Sequence, residues 1–502
     1  MNLLLALLSG LLLVLIHPRF DLPWLAPFAL TPLLAALSRE PRPKHRFLLG
    51  YIAGIVFWTG VCYWIQAVLA VHGAMGELGG GATFALFVLA KALHFGVFGL
   101  LAAVLVSRSY AVPAVAALWA GLERTQGPVN GFEWLALGNA GADMGLPMRL
   151  APITGVYGLS FVFAAMATGV ALVILRRPRK HLAWFAMLLG LPLMPELAAA
   201  SKGGSGTAVL VQPNVAADQE WSQEAADMLE RRLITRSLET ALAAGGSPPD
   251  FVVWPELPAP IYYETDAGLR GRVAGLARAA RASILFGSVG YTRSGAPLNS
   301  AQMVSPEGNP IARYDKIYLV PFGEYVPPLF GFVNRITKEA GDFVPGEKIV
   351  LFPAAGHTLG AFICYESAVP RHVREFARKG GEVLVNLSND GYFFRTAARE
   401  QHLKLVRMRA AENRRWILRA TNNGITAVID PAGRVLSVMP PFQDRAALVR
   451  FDYIGGQTFY TRVGDWFAWL CLAGAAAALF LSQLPHYTPA PTRAGSEARR
   501  RP

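Results

Sequence analysis

The sequence predicts two fold classes in one chain: a polytopic α-helical membrane domain of about eight spans, and an α/β domain inserted before the last span on the extracytoplasmic side. Three observations predict it. Of 502 residues, 53% are apolar and 16% charged, against roughly 25% charged in a typical soluble protein. Eight apolar stretches read as long enough to cross a bilayer, which takes about 20 residues and sometimes fewer. Between the seventh and eighth, the texture changes to short β-branched runs bounded by Gly and Pro, alternating with amphipathic stretches rich in Ala, Arg and Glu.

The apolar stretches lie near 3–18, 21–37, 47–71, 82–106, 110–125, 150–175 and 182–199, with one more near 464–484. The first lacks a basic leading segment and a small-residue cleavage site, so it reads as a retained span and not a signal peptide. A formal charge of +13 raises the question of nucleic acid, but the basic residues cluster at the ends of apolar segments. Arg39, Arg42, Lys44 and Arg46 form one group, Arg176, Arg177, Arg179 and Lys180 a second, and Arg493, Arg499, Arg500 and Arg501 a third. This is the positive-inside pattern of a membrane protein, and no nucleic-acid partner is expected. With both termini cytoplasmic, an odd number of spans puts the polar region outside.

These signals divide the chain into a membrane domain at 1–200, an α/β domain at 201–462, a closing span at 463–485 and a basic, disordered cytoplasmic tail at 486–502. Within the second, strands are expected at 207–212, 251–254, 283–289, 359–364, 382–387, 416–421 and 425–430, and helices at 218–243, 267–281, 370–378 and 396–413.

Three motifs in that domain put a reactive side chain where an apolar run gives way to a loop, which is where α/β folds place their sites. FVVWPELPAP presents Glu256, ARYDKIYLVPFGEYVP presents Lys316 and Glu324, and GAFICYESAVP presents Cys364 and Glu366. Cys62 and Cys471 lie in apolar segments, so Cys364 is the sole thiol of the polar part and no disulfide framework exists there. A thiol at a strand end can be a nucleophile, with a carboxylate as base and a lysine holding thiolate and oxyanion. Taken singly, Cys364 reads equally as a buried strand cysteine, and Glu256 and Lys316 as a surface ion pair. His357 and His402 lack ligand spacing, so neither metal nor cofactor is expected.

Taken together, VVWPE, YDKIYLVPFGE and FICYE resemble the nitrilase or carbon–nitrogen hydrolase superfamily. With spans on both sides, and with NLSND at 386–390 and the stretch at 401–430, the chain resembles the apolipoprotein N-acyltransferase family over residues 1–485. The resemblance implies a nitrilase-like βααβ sandwich with Glu256 as base, Lys316 as thiolate and oxyanion partner, and Cys364 as nucleophile. It further implies Glu324 as a supporting carboxylate, the Tyr365 N–H as an oxyanion donor, and Trp221, Tyr365, Glu366 and Asn299 near the mouth of the pocket. The implied partners are a phospholipid acyl donor such as phosphatidylethanolamine, a diacylglyceryl apolipoprotein acceptor and the lipids of the bacterial inner membrane, with a monomer sufficient. A membrane-tethered amidase or nitrilase, using the same triad and water, is the alternative.

One stretch departs from the family. After SND it usually continues with a small residue, Trp, Phe and Gly, whereas this chain reads SNDGYFF, with Tyr392 and Phe394 at the second and fourth places. A shifted substrate lip around an intact triad is the expectation. The Gly/Pro-rich tract 321–346, carrying Leu329, Phe330 and Phe332, reads as a lid through which lipid enters.

Overall fold

The computed structural model describes residues 1–196, 204–216, 219–243, 245–257, 261–321, 323–325 and 343–484. Among them, three helices are long and apolar enough to cross a membrane: Gly76–Leu105, Val156–Ile174 and Trp466–Gln483. The pair Pro43–Val61 and Trp64–Val71, bent by 62°, makes a fourth if counted as one span. Helix Ala111–Asn130 is 20 residues long but turns polar from Glu123 onward, and the remaining apolar segments are shorter or interrupted for local reasons. Pro23 and Pro27 lack a backbone N–H, and residues 21–37 accordingly split into a 3-10 stretch at Pro23–Phe28 and a nine-residue helix at Thr31–Arg39. Residues 179–193 are 3-10 throughout.

The bend near Cys62 frees backbone carbonyls that apolar surroundings cannot solvate. Gln401, from the α/β domain, supplies the donor: its Nε2 reaches the Val61 carbonyl at 3.0 Å and the Pro18 carbonyl at 2.7 Å. Helices Pro43–Val61 and Gly76–Leu105 cross closely, and a Cβ on Gly99 would stand 2.6 Å from the Arg46 carbonyl, so this crossing needs small residues.

The α/β domain holds twelve strands: β1 (Ser205–Gln212), β2 (Phe251–Val253), β3 (Ser283–Tyr291), β4 (Pro297–Val304), β5 (Pro310–Asp315), β6 (Leu351–Ala354), β7 (His357–Ile363), β8 (Val383–Ser388), β9 (Ile417–Thr421), β10 (Ala427–Ile429), β11 (Val435–Val438) and β12 (Arg445–Asp452). They form two six-stranded sheets, ordered β12-β1-β2-β3-β4-β5 and β11-β10-β9-β8-β7-β6. In each sheet three central strands run parallel and the outer neighbours antiparallel. All seven expected strands are present. The five unexpected ones, β4, β5, β6, β11 and β12, are antiparallel, and several carry polar residues such as Asn299, Ser300 and Gln302 or a proline, Pro353, which mask the apolar signature of a strand.

Strand alternation sets the layers. On β1, Ala208 and Leu210 face the core between the sheets, while Val209 and Val211 face helices Gln223–Ala243 and Ala267–Ala280. Helix Ala398–Asn413 covers the second sheet with Val406 and Ala410 and turns Leu405, Met408 and Ala411 to the membrane helices. Being buried on both faces, it pairs its charges: Lys404 and Arg407 to Asp143, at 2.9 and 2.6 Å, and Arg409 to Glu412 at 2.7 Å.

Candidate active site

The site forms where strands of both sheets end. Glu256 follows β2, Lys316 follows β5, Cys364 follows β7 and Asn389 follows β8. Glu256 reaches its place because β3 carries Gly287, where a Cβ would stand 2.6 Å from the Leu257 nitrogen and 2.7 Å from the Pro255 carbonyl. Cys364 opens the 3-10 turn Cys364–Ala368 with φ +49°, a backbone conformation disfavoured for a side chain and characteristic of functional turns.

Lys316 is buried between two carboxylates, its Nζ 2.9 Å from Glu256 and 2.9 Å from Glu324. Asn299 Nδ2 donates to the same pair, at 2.8 and 2.6 Å. The second oxygen of Glu256 accepts from the Asn389 N–H at 2.9 Å, and that of Glu324 from the Val320 N–H at 2.8 Å. Burial pulls the Lys316 pKa down, but Glu256, Glu324 and the Cys364 thiol outweigh it and hold the ammonium well above its ordinary range. Burial raises Glu324; Lys316 opposes that rise and Glu256 adds to it, leaving the carboxyl above its ordinary value. Burial and the Glu256 charge likewise push the Cys364 thiol up, which favours the protonated thiol over the thiolate.

A second buried cluster supports the backbone of Cys364. His402 Nε2 lies 3.0 Å from the Cys364 carbonyl, and its Nδ1 lies 3.1 Å from Asp390. Arg419 Nη2 donates to Asp390 at 2.6 Å, and Ser388 Oγ at 2.8 Å. The sequence marked Ser388 and Asp390 only as part of NLSND and His402 only as a histidine without metal-ligand spacing; the signal for their pairing with Arg419 was charge inside apolar strand and helix runs. Glu366 is wholly buried beneath the site and does not line the cavity. It accepts from Tyr314 at 2.5 Å, the Ile317 N–H at 2.7 Å and the Ile363 N–H at 2.7 Å, tying the Lys316 loop to the end of β7. Trp221 is partly exposed and likewise absent from the described cavity lining.

Glu256, Lys316, Cys364, Asn299, Glu324 and Tyr365 do line one cavity, of about 1290 Å³. Its other wall comes from the membrane domain: Trp64, Val68, Leu69, Leu86, Phe87 and Phe132. Tyr365 stacks on Phe132 with ring centroids 5.6 Å apart, and its hydroxyl accepts from the Glu133 N–H at 2.9 Å. In the departing stretch, Tyr392 and Phe394 pack on His72 at 4.6 and 5.1 Å, and Phe393 packs on Trp64 at 5.0 Å. This lip therefore leans on the membrane helices. Leu329, Phe330 and Phe332 of the expected lid lie outside the described residues.

Two facing sheets whose ends gather a carboxylate, an ammonium and a thiol, against an apolar wall from membrane helices, define a membrane-bound enzyme of carbon–nitrogen hydrolase type. Residues 206–453 match the carbon-nitrogen hydrolase family, and residues 9–169 match the apolipoprotein N-acyltransferase N-terminal domain. Apolipoprotein N-acyltransferase of Geobacter metallireducens is 36% identical over 501 residues, covering 95% of each chain, and that of Azotobacter vinelandii is 35% identical, covering 95% of this chain and 93% of its own. The chain belongs to the apolipoprotein N-acyltransferase family. A solved amidase from Nesterenkonia sp. is similar at 20% identity and a TM-score of 0.38, over 53% of this chain and 95% of its own.

Proposed function

We propose that this acyltransferase N-acylates lipoproteins in two half-reactions carried by Cys364. Glu256 takes the thiol proton as sulfur attacks an ester carbonyl of a phospholipid, with phosphatidylethanolamine the expected donor. Lys316 and the Tyr365 N–H stabilise the oxyanion. The tetrahedral intermediate collapses to a Cys364 thioester, and the departing glycerol oxygen takes the proton from Glu256 as a lysophospholipid leaves. The α-amine of a diacylglyceryl-cysteine then attacks the thioester and gives up a proton through Glu256 to the returning thiol. The product is an N-acyl amide.

The observation that carries this reading is one cavity lined both by the Cys364–Lys316–Glu256 group and by aromatic and aliphatic residues of the membrane helices. A small-amide hydrolase calls for a small polar cavity; a slot of this volume and composition suits an acyl chain. We further infer that the protein lies in the bacterial inner membrane as a multi-pass monomer of about eight spans, with residues 201–462 periplasmic and both termini cytoplasmic. The basic groups at 39–46 and 176–180 support that orientation. Such a placement lets two lipid-anchored substrates reach Cys364 by lateral diffusion.

Intact mass spectrometry after incubation with phosphatidylethanolamine tests the mechanism. One acyl chain gained by the wild type, lost on hydroxylamine treatment and absent in Cys364→Ser, is expected. No adduct under turnover conditions would redirect the search to amide and nitrile substrates.

A further inference from the structure

The cavity has a cationic edge that the acyl-transfer chemistry does not use. Arg395 and Phe442 line the same cavity as Cys364. Two guanidiniums lie over that one ring, Arg395 at 4.2 Å from its centroid and Arg399 at 4.6 Å. Like charges converging on one ring repel, and the ring quadrupole offsets only part of that cost.

The ring itself is firmly held. Phe442 sits at φ +59°, its N–H donates to the Asn423 carbonyl at 3.2 Å, and its own carbonyl accepts from Asn214 Nδ2 at 3.1 Å. Gln212 Nε2 bonds the carbonyls on both sides of it, Pro440 at 2.8 Å and Gln443 at 2.9 Å. The side chains above it are not matched in the same way. Arg399 is about nine-tenths buried, yet its Nη1 is sealed from solvent with no hydrogen-bond acceptor among the described residues. Its nearest carboxylate, Glu400, is 3.7 Å away, and its Nε makes a long contact of 3.4 Å to the Thr396 carbonyl. Arg395 is exposed and has no ion pair among the described residues. A buried guanidinium donor without an acceptor is costly; Arg399 lies behind the cavity lining, and an anion held by Arg395 at the cavity edge offsets the repulsion between the two like charges.

We infer that Arg395, held over Phe442 and backed by the buried Arg399, forms a binding site for the phosphodiester of the phospholipid acyl donor, seating the headgroup at the cavity edge while the ester lies near Cys364. The inference rests on the phospholipid-to-thioester reading above. The chemistry is that of guanidinium forks on phosphate oxygens, which a neutral ester cannot engage.

The test compares two donors on the full-length protein in detergent micelles: phosphatidylethanolamine, and a p-nitrophenyl acyl ester that carries no phosphate. Thioester formation on Cys364 is followed by intact mass. Arg395→Gln is expected to lower the ratio of the phospholipid rate to the neutral-ester rate about tenfold, and Arg395→Glu further. Because Arg395 is exposed, these variants carry the test even if the buried Arg399→Gln does not fold. An unchanged ratio overturns the site, whether both rates fall together or neither moves. A loss confined to transfer onto the lipoprotein amine overturns it too, and assigns the arginines to the acceptor. Inorganic phosphate is expected to leave wild-type acylation from phospholipid unaltered. Inhibition by it that Arg395→Gln relieves would make this a free-phosphate site and overturn the lipid assignment. Failure of the wild type to form any thioester, even with the neutral ester, would sink the underlying mechanism instead.

Discussion

Two buried ionic clusters bear on Cys364, and they are built from similar parts. Glu256–Lys316–Glu324 opens on the cavity, with carboxylate side chains 7% and 12% exposed; Asp390–His402–Arg419 is sealed at 0%. In the sealed cluster one carboxylate faces one guanidinium. Burial raises Asp390, but Arg419 and His402 outweigh it and hold the carboxyl well below its ordinary range. In the open cluster two carboxylates share one ammonium, and Glu324 is held above its ordinary range. A matched pair locks backbone in place, whereas a surplus carboxylate beside a protonated thiol is suited to the base role proposed for Glu256. Residue type alone does not separate structural charge from chemical charge; stoichiometry and access do.

The comparison breaks most sharply at the thiol. Cys364→Ala is expected to abolish acyl transfer with an unchanged melting temperature, measured by lipoprotein acylation and thermal unfolding in detergent. Next, Glu256→Gln is expected to slow thioester formation by about 10²–10⁴-fold, read by single-turnover mass spectrometry; an effect below threefold would remove Glu256 as the base. In the sealed cluster, Arg419→Met leaves Asp390 buried without its cation. A loss of about 3–5 kcal/mol in stability is expected, measured as a fall in melting temperature that accompanies any loss of rate.

Glu366 sharpens the same contrast through pH. Burial raises its pKa, but His372, the Ile363 N–H and Tyr314 outweigh burial and hold it below the ordinary value. A carboxyl depressed by folding stabilises the protein above its unfolded pKa of about 4.3, and that contribution drains away as pH falls through the folded value. Glu366→Gln should therefore flatten the acid limb of the melting temperature against pH, and a limb parallel to the wild type would reject this. The smallest effect is expected at Tyr392, whose packing on His72 contributes about 0.5–1.5 kcal/mol. Tyr392→Ala should alter the KM for phospholipid more than kcat.

The apolar segments, the switch to α/β texture and the three reactive motifs were all legible along the chain, because each depends on composition or periodicity within a window. All seven expected strands and the helices at 267–280, 370–378 and 398–413 lie close to their expected ranges, since strand alternation and helical spacing are local properties. Five antiparallel strands were not legible, as polar or proline positions break up β4, β5 and β6 and the apolar runs of β11 and β12 are short.

Other features exist only in three dimensions. Gln401 accepts from the indole N–H groups of Trp64 and Trp134 and donates to Val61, across separations that no window connects. The apolar cavity wall arises because residues 64–69, 86–87 and 132–134 fold back over Cys364. Glu366 and Trp221, expected at the pocket mouth, lie elsewhere because a side chain's direction depends on the turn that carries it. By itself the sequence determined the segments and their chemical types; which charges are matched, which face the cavity and which merely hold the backbone was decided by long-range packing.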